Sequence, residues 1–172
     1  MGTDWVRLFD KRLCDEIVAL DSSALTIFVS SRLGELGKYN EFRSGFAEDV
    51  PVPDRFQHLI DSGLSEQELK YGLVDSLCVF GEWLHLDYWA CYVEVFNDDP
   101  PGSIPDREIF PHVKEQQFLL LRPEHVDQMI RSLDAHRGEV TVMEEKDIGL
   151  LRQWRDRCMI DNGTMVAYFL DY

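Results

Sequence analysis

The sequence predicts an α+β fold in one globular domain, residues 1–172, with a helix-rich N-terminal half packed on a small sheet formed mainly by the C-terminal half. Three observations support this prediction. Apolar residues in the first half recur at helical steps of three and four, short apolar runs typical of strands come late, and β-α-β alternation is rare. The 172 residues, 45% of them hydrophobic, suffice for the core of one domain.

The first third of the chain is predicted to be helical. A second helix is expected after the capping residues Ser22 and Ser23, and a short helix between Asp54 and Gly63. The first helix is indicated by apolar residues at three- and four-residue steps, namely Trp5, Leu8, Phe9, Leu13, Ile17 and Leu20.

A capping box opens the next predicted helix. Ser65 and Glu68 have the spacing at which each side chain bonds the other residue's backbone N–H. The helix is expected to carry Leu69, Leu73, Leu77, Phe80 and Leu84. From Asp87 the pattern alternates, so residues 88–96 are predicted to be a strand, with a continued helix as the alternative and the change placed at residues 84–88.

The last third gives the clearest pattern. Residues 118–121 form a short apolar run that predicts a strand, and Pro123 suits the first position of a helix. Six consecutive apolar residues, 165–170, predict a strand that is covered on both faces in the sheet interior. Between them, a helix is indicated by Ile148, Leu151, Trp154 and Cys158.

The formal net charge of −15 restricts the partners. Nucleic acids and anionic membranes require a cationic surface, so neither is expected as a partner. A basic protein is the expected partner.

The compartment is predicted from three further features of the sequence. There is no stretch of 18 uncharged apolar residues, so no membrane-spanning helix is predicted. Acidic residues in positions 1–20 argue against a secretory leader, and four cysteines without a C-x-x-C pair predict buried thiols in a reducing cytoplasm.

The motifs of catalysis and cofactor binding are weak or absent. Glu82 and His85 have E-x-x-H spacing and would share a helix face with Cys78, but di-iron sites need this pair twice and H-E-x-x-H is missing. Phosphate-binding glycine loops and the nucleophile elbow are also missing. We therefore predict no catalytic residue, metal or cofactor, and a non-enzymatic role is favoured.

Two features remain as candidates for partner binding. The proline-rich segment 97–111 carries four acids that are expected to face solvent: Asp98, Asp99, Asp106 and Glu108. The aromatic-rich segment that precedes it contains side chains of the kind that dominate protein interfaces: Trp83, Tyr88, Trp89 and Tyr92.

These features lead to two hypotheses for function. The first is an acidic cytoplasmic interaction protein, of the inhibitor or immunity type, that binds a basic protein. The alternative is a small-molecule-binding protein or enzyme with a pocket walled by the aromatic side chains of residues 80–96. Its polar groups would be Glu82, His85, Asp87 and Glu94.

Overall fold

A computed structural model describes residues 4–36, 65–86, 99–135 and 145–170. Within these ranges the strands are β1 (Asp4–Asp10), β2 (Val79–Leu86), β3 (Ile104–Pro105), β4 (Phe118–Leu121) and β5 (Thr164–Phe169). The helices are α1 (Lys11–Ala19), α2 (Ser22–Leu36), α3 (Glu66–Leu77), α4 (Asp106–Ile109), α5 (Pro123–Ala135) and α6 (Glu145–Ile160). The α+β class is confirmed.

The chain divides into two compact units. Met1–Asp10 with Phe80–Tyr172 form one, here called the sheet unit, and Lys11–Val79 form the other, called the helical unit. The prediction that residues 1–172 form a single domain stays a prediction.

The strands of the sheet follow the order β2-β1-β5-β4-β3. β5 lies antiparallel to β1 on one side, with Trp5 opposite Phe169, and antiparallel to β4 on the other, with Phe118 opposite Phe169. All six residues of β5 are buried. The prediction of a strand in the sheet interior is therefore confirmed, and so is the strand at residues 118–121.

One face of the sheet packs against α5 and α6. The two helices bury apolar side chains such as Met129, Leu151 and Trp154 against Val166 and Tyr168 of β5. Cys158 lies in the same core. The helix predicted to begin at the proline of position 123 and the helix predicted from the 148–158 spacing are both confirmed. This helical layer leaves the opposite face of the sheet to a different set of residues.

The helical unit contains α1, α2 and α3. The capping box is confirmed, since Ser65 accepts from the Glu68 amide and Glu68 accepts from the Ser65 N–H. The cap of α2 differs from the prediction: the Asp21 carboxylate accepts from the backbone N–H of Ala24 at 2.8 Å, so the cap lies one residue before Ser22. The short helix predicted between residues 54 and 63 lies outside the described residues.

The prediction of a first helix from Trp5 is wrong, because residues 4–10 form β1 and only then does α1 begin. A strand alternates its side chains, which places Val6 and Leu8 on the helix-covered face and Trp5 and Phe9 on the other. Both faces carry apolar side chains, so the sequence lacks the alternation of apolar and polar residues that identifies a strand with one exposed face. The apolar residues of β1 also happen to lie at three- and four-residue steps, which is why the spacing predicted a helix.

The predicted change from helix to strand at residues 84–88 is also wrong. α3 ends at Leu77, Cys78 is its C-cap, and β2 already runs from residue 79. Gly81 has a φ of +84°, a left-handed conformation that favours glycine and departs from regular strand geometry. The strand predicted for residues 88–96 lies outside the described residues.

Candidate interaction site

The segment 99–111 is more ordered than the predicted proline-rich loop. It contains β3, which pairs antiparallel with β4, followed directly by the one-turn helix α4. Asp99 accepts a hydrogen bond from Gln116 at 3.1 Å and forms an ion pair with Arg107 at 2.5 Å. The segment is thus held at the β3 edge of the sheet by an ion pair within it and by a hydrogen bond from Gln116, which follows it.

Asp106 is not the exposed acid that the sequence predicted. Its side chain is fully buried, and one carboxylate oxygen accepts from the backbone N–H groups of Gln117 at 2.9 Å and Phe118 at 3.4 Å. Both backbone donors reach the same oxygen, Oδ2, so the chain itself supplies partners for that oxygen of the buried carboxylate. Glu108, two residues later in α4, is exposed. Two acids of the same short helix therefore have different environments: Asp106 is buried in the protein and Glu108 faces solvent.

A buried histidine holds the turn that precedes β3. His125, the third residue of α5, accepts the Arg122 backbone N–H at Nδ1, 3.0 Å away, and its Nε2 lies 3.0 Å from the Pro101 carbonyl oxygen. The Arg122 side chain donates from Nε to the Gly102 carbonyl oxygen at 2.9 Å. His125 is therefore a capping group of α5 that also contacts the turn before β3.

Trp83 belongs to an aromatic cluster on the face of the sheet opposite α5 and α6. Its ring centroid lies 5.6 Å from that of Trp5 in an edge-on arrangement and 5.4 Å from that of Phe169. The guanidinium carbon of Arg7 lies 4.6 Å above the Trp83 ring, while its Nε donates to the Gly81 carbonyl oxygen at 2.8 Å. Half-buried Trp83 is thus packed on several sides, and its predicted contact with a partner stays a prediction.

Sequence reasoning missed Trp5, Arg7 and Phe169 as members of this cluster. The spacing places Trp5 on a helical stripe, and Phe169 lies in an apolar run that predicts only a buried strand. The useful pattern was the odd-numbered alternation of Trp5, Arg7 and Phe9, which places them on one strand face.

The predicted stripe of Cys78, Glu82 and His85 does not form. Residues 82 and 85 lie on strand β2, so the helix on which this stripe depended is absent there. Glu82 is exposed. Asp87 and Glu94, the other polar groups of the predicted pocket, lie outside the described residues, as do Tyr88, Trp89, Tyr92 and Asp98. The small-molecule pocket stays a prediction.

The helical unit holds a second polar cluster, around Lys70. The buried ammonium group donates to the carbonyl oxygens of Val18 at 2.9 Å and Leu20 at 2.5 Å, and it pairs with Glu66 at 3.1 Å. These acceptors engage all three N–H groups of the lysine. Hydrogen bonds from Ser22 and Lys70 lower the pKa of Glu66. With its donors used, Lys70 ties the end of α1 to α3.

The described thiols do not resemble reactive cysteines. Cys14, Cys78 and Cys158 are buried, as predicted, and form no disulfide with one another. Burial raises the pKa of Cys158 to about 11, a rise that Arg157 opposes and Asp161 increases. A thiol that keeps its proton is a weak nucleophile.

Across the described ranges, no three His, Cys, Asp or Glu side chains assemble into a potential metal site.

The helices of the described segments are all too short or too polar to cross a membrane. Comparison with models of known protein families gives no match, and comparisons with curated proteins and with solved structures give none either. The charges and contacts of the chain itself therefore carry the functional argument.

Some charged side chains of the sheet unit form ion pairs within the chain and others do not. Arg107, Arg152 and Arg155 form ion pairs with aspartates, and Arg155 bonds both Asp127 at 2.8 Å and Asp156 at 2.9 Å. The guanidinium carbon of Arg157 lies 5.0 Å from the ring centroid of Phe80. Two sets of exposed side chains make no ion pair with any described residue: the carboxylates Glu82, Glu108, Glu115 and Glu124, and the cations Lys114, Arg131 and Lys146.

Proposed function

We propose that this chain is an acidic interaction protein that binds a basic protein partner, as an inhibitor or immunity-type protein does. The observation that carries the proposal is the excess of negative charge: the net charge is −15, and four exposed carboxylates of the sheet unit make no ion pair with any described residue. A chain of net charge −15 attracts cationic partners over distances beyond direct contact.

Glu108 is the acid that we place at the centre of the contact. It projects from a segment that the Asp99–Arg107 ion pair and the buried Asp106 carboxylate already hold in one conformation. A contact surface that is ordered before binding loses less conformational entropy when the complex forms. Preorganisation and charge together favour fast, salt-sensitive association.

The same proposal excludes nucleic acids as partners and places the chain in the cytoplasm. Nucleic acid would be repelled by the net negative charge. The buried thiols suit a reducing compartment, where disulfides are rare.

The experiment begins by immobilising the chain and capturing basic proteins from a lysate of the source organism at low salt. The captured partner is then purified, and its association rate is measured for wild type and for a variant with Glu82, Glu108, Glu115 and Glu124 changed to Gln. We expect the neutralised variant to associate several-fold more slowly and with a flatter dependence on salt.

The matched control changes exposed cations of the sheet unit, Lys114, Arg131 and Lys146, to Gln, which should speed association. Circular dichroism checks that both variants keep the fold. Failure to retain any basic protein at low salt, or equal association rates for wild type and both variants, would contradict the proposed function.

A further inference from the structure

Asparagine followed directly by glycine occurs once in the chain, at Asn162–Gly163. In such a pair the backbone nitrogen of the glycine can attack the side-chain carbonyl carbon of the asparagine, because glycine has no Cβ to obstruct the approach. The attack closes a five-membered succinimide ring and expels ammonia. Asn162 is exposed, so its side chain is accessible to water and to base.

The pair lies in the turn that connects α6 to β5, and Asp161 holds this turn. The backbone N–H of Thr164 donates to the Asp161 carbonyl oxygen at 3.0 Å, which closes the turn around Asn162 and Gly163. The Asp161 carboxylate accepts twice: Oδ1 from the Gly163 backbone N–H at 3.0 Å, and Oδ2 from the Thr164 hydroxyl at 2.9 Å. The nitrogen that would attack Asn162 is therefore bonded to a carboxylate.

This hydrogen bond opposes the first step of the reaction. The glycine nitrogen becomes a nucleophile only after it loses its proton to a base. A carboxylate that accepts the N–H stabilises the protonated form, and its negative charge destabilises the amide anion. Gly163 is also buried, and the Thr164 hydroxyl keeps the carboxylate oriented toward it. The closed turn thus holds the nitrogen in its unreactive state.

We propose that Asn162 is a site of spontaneous deamidation and that Asp161 protects it while the turn is closed. When the turn opens, hydroxide takes the Gly163 amide proton, and the nitrogen forms a bond to the Asn162 side-chain carbon. The leaving nitrogen takes a proton from water and departs as ammonia, which regenerates hydroxide. Water then opens the succinimide at either carbonyl and gives aspartate or isoaspartate.

The product alters the chain just before the middle strand of the sheet. Aspartate adds one negative charge to the turn, whereas isoaspartate carries the backbone through the side-chain carbon and lengthens it by one atom. β5 begins at Thr164 and pairs with both β1 and β4, so an additional backbone atom at its start disturbs the register of two ladders. Deamidation therefore marks chains in which this turn has opened.

Peptide mapping by mass spectrometry measures the reaction during incubation of the full chain at neutral pH. Wild type should deamidate several-fold more slowly when folded than when unfolded in urea. Asp161→Ala removes the acceptor of the Gly163 N–H and should accelerate the reaction of the folded chain several-fold. The matched control is Asp156→Ala, which removes an exposed carboxylate of α6 that bonds Arg155 and should keep the wild-type rate.

Dilute urea separates protection by the turn from protection by the whole fold. In Asp161→Ala the accelerated rate should stay nearly constant in urea well below the unfolding transition, because the opening is local. A rate that rises in parallel with the globally unfolded fraction would overturn the protective role of Asp161, as would equal rates for Asp161→Ala and Asp156→Ala. Absence of reaction at Asn162 in the unfolded chain would overturn the site itself.

Discussion

The buried carboxylate of Asp106 accepts the backbone N–H of Gln117 at 2.9 Å, which fastens the one-turn helix α4 to the residue that precedes β4. The same carboxylate oxygen also accepts from Phe118, the first residue of β4. An acid in a proline-rich segment thus acts as a structural clamp, while Glu108 in the same helix faces solvent.

This difference predicts unequal effects of neutralising the two acids. Asp106→Asn should lower the free energy of unfolding by about 1–3 kcal/mol, because it replaces a charge-assisted acceptor at a buried site. Glu108→Gln, the matched change at the exposed acid, should stay within about 0.5 kcal/mol of wild type. Urea denaturation measures both, and equal losses would contradict the assignment of Asp106 as the clamp.

Lys70 gives a second comparison between a buried and a surface cation. Lys70→Met keeps most of the aliphatic stem but leaves the Val18 and Leu20 carbonyl oxygens without this donor, so we expect a loss of about 1–3 kcal/mol. Lys11→Met removes only a helical surface pair with Asp15 and should change stability by about 0.5 kcal/mol or less. Thermal and urea unfolding should rank the two variants in this order. Similar losses would show that the Lys70 contacts contribute little.

Cys158 should make the chain sensitive to alkali. Burial raises the pKa of its thiol from the ordinary 9.0 to about 11, so the folded state holds the proton more tightly than the unfolded state does. The resulting stabilisation is complete below about pH 9 and is lost progressively as the pH rises toward 11.

Cys158→Ala removes this thiol and should therefore lose less stability than wild type between about pH 8.5 and about pH 10.5. Urea denaturation in the presence of a reductant at both pH values measures the difference. Parallel losses in wild type and variant would show that the folded thiol is not protected from ionisation.

The position of β5 predicts that the sheet cannot form without it. Deletion of residues 164–170 removes the ladders to both β1 and β4 and should abolish cooperative unfolding. Val166→Asp, which buries a charge, should cost more than about 4 kcal/mol. Ile160→Asp, at a residue that is 88% exposed, is the matched control and should leave the fold intact. Soluble, cooperatively unfolding protein after the deletion would place β5 outside the sheet centre.

The elements that could be predicted are those whose local pattern has one interpretation. A capping box, a proline at a helix start and six consecutive apolar residues correctly indicated α3, α5 and β5. β1 was missed because Trp5 and Phe9 are apolar on one face while Val6 and Leu8 are apolar on the other. Such a strand and a helix give the same composition over seven residues.

The candidate site was less predictable for a physical reason. Asp106 and Glu108 are both acids beside prolines, and only the tertiary position of β4 decides that one meets backbone N–H groups and the other meets water. The cluster around Trp83 likewise depends on strands that are remote in sequence, since Trp5 and Phe169 meet it only after the sheet has assembled. The local spacing of residues therefore predicts neither the burial of Asp106 nor the cluster around Trp83.

The pairing of β1 with β5 has a consequence for synthesis on the ribosome. The partners Trp5 and Phe169 are separated by roughly 160 residues, so the nascent chain carries β1, and later β4, before their shared neighbour has emerged. During that interval both strands present unpaired backbone edges, the kind of surface on which nascent chains aggregate. The sheet can therefore be completed only after residues 164–169 have emerged, and the high contact order of this pairing should make it a slow step of folding.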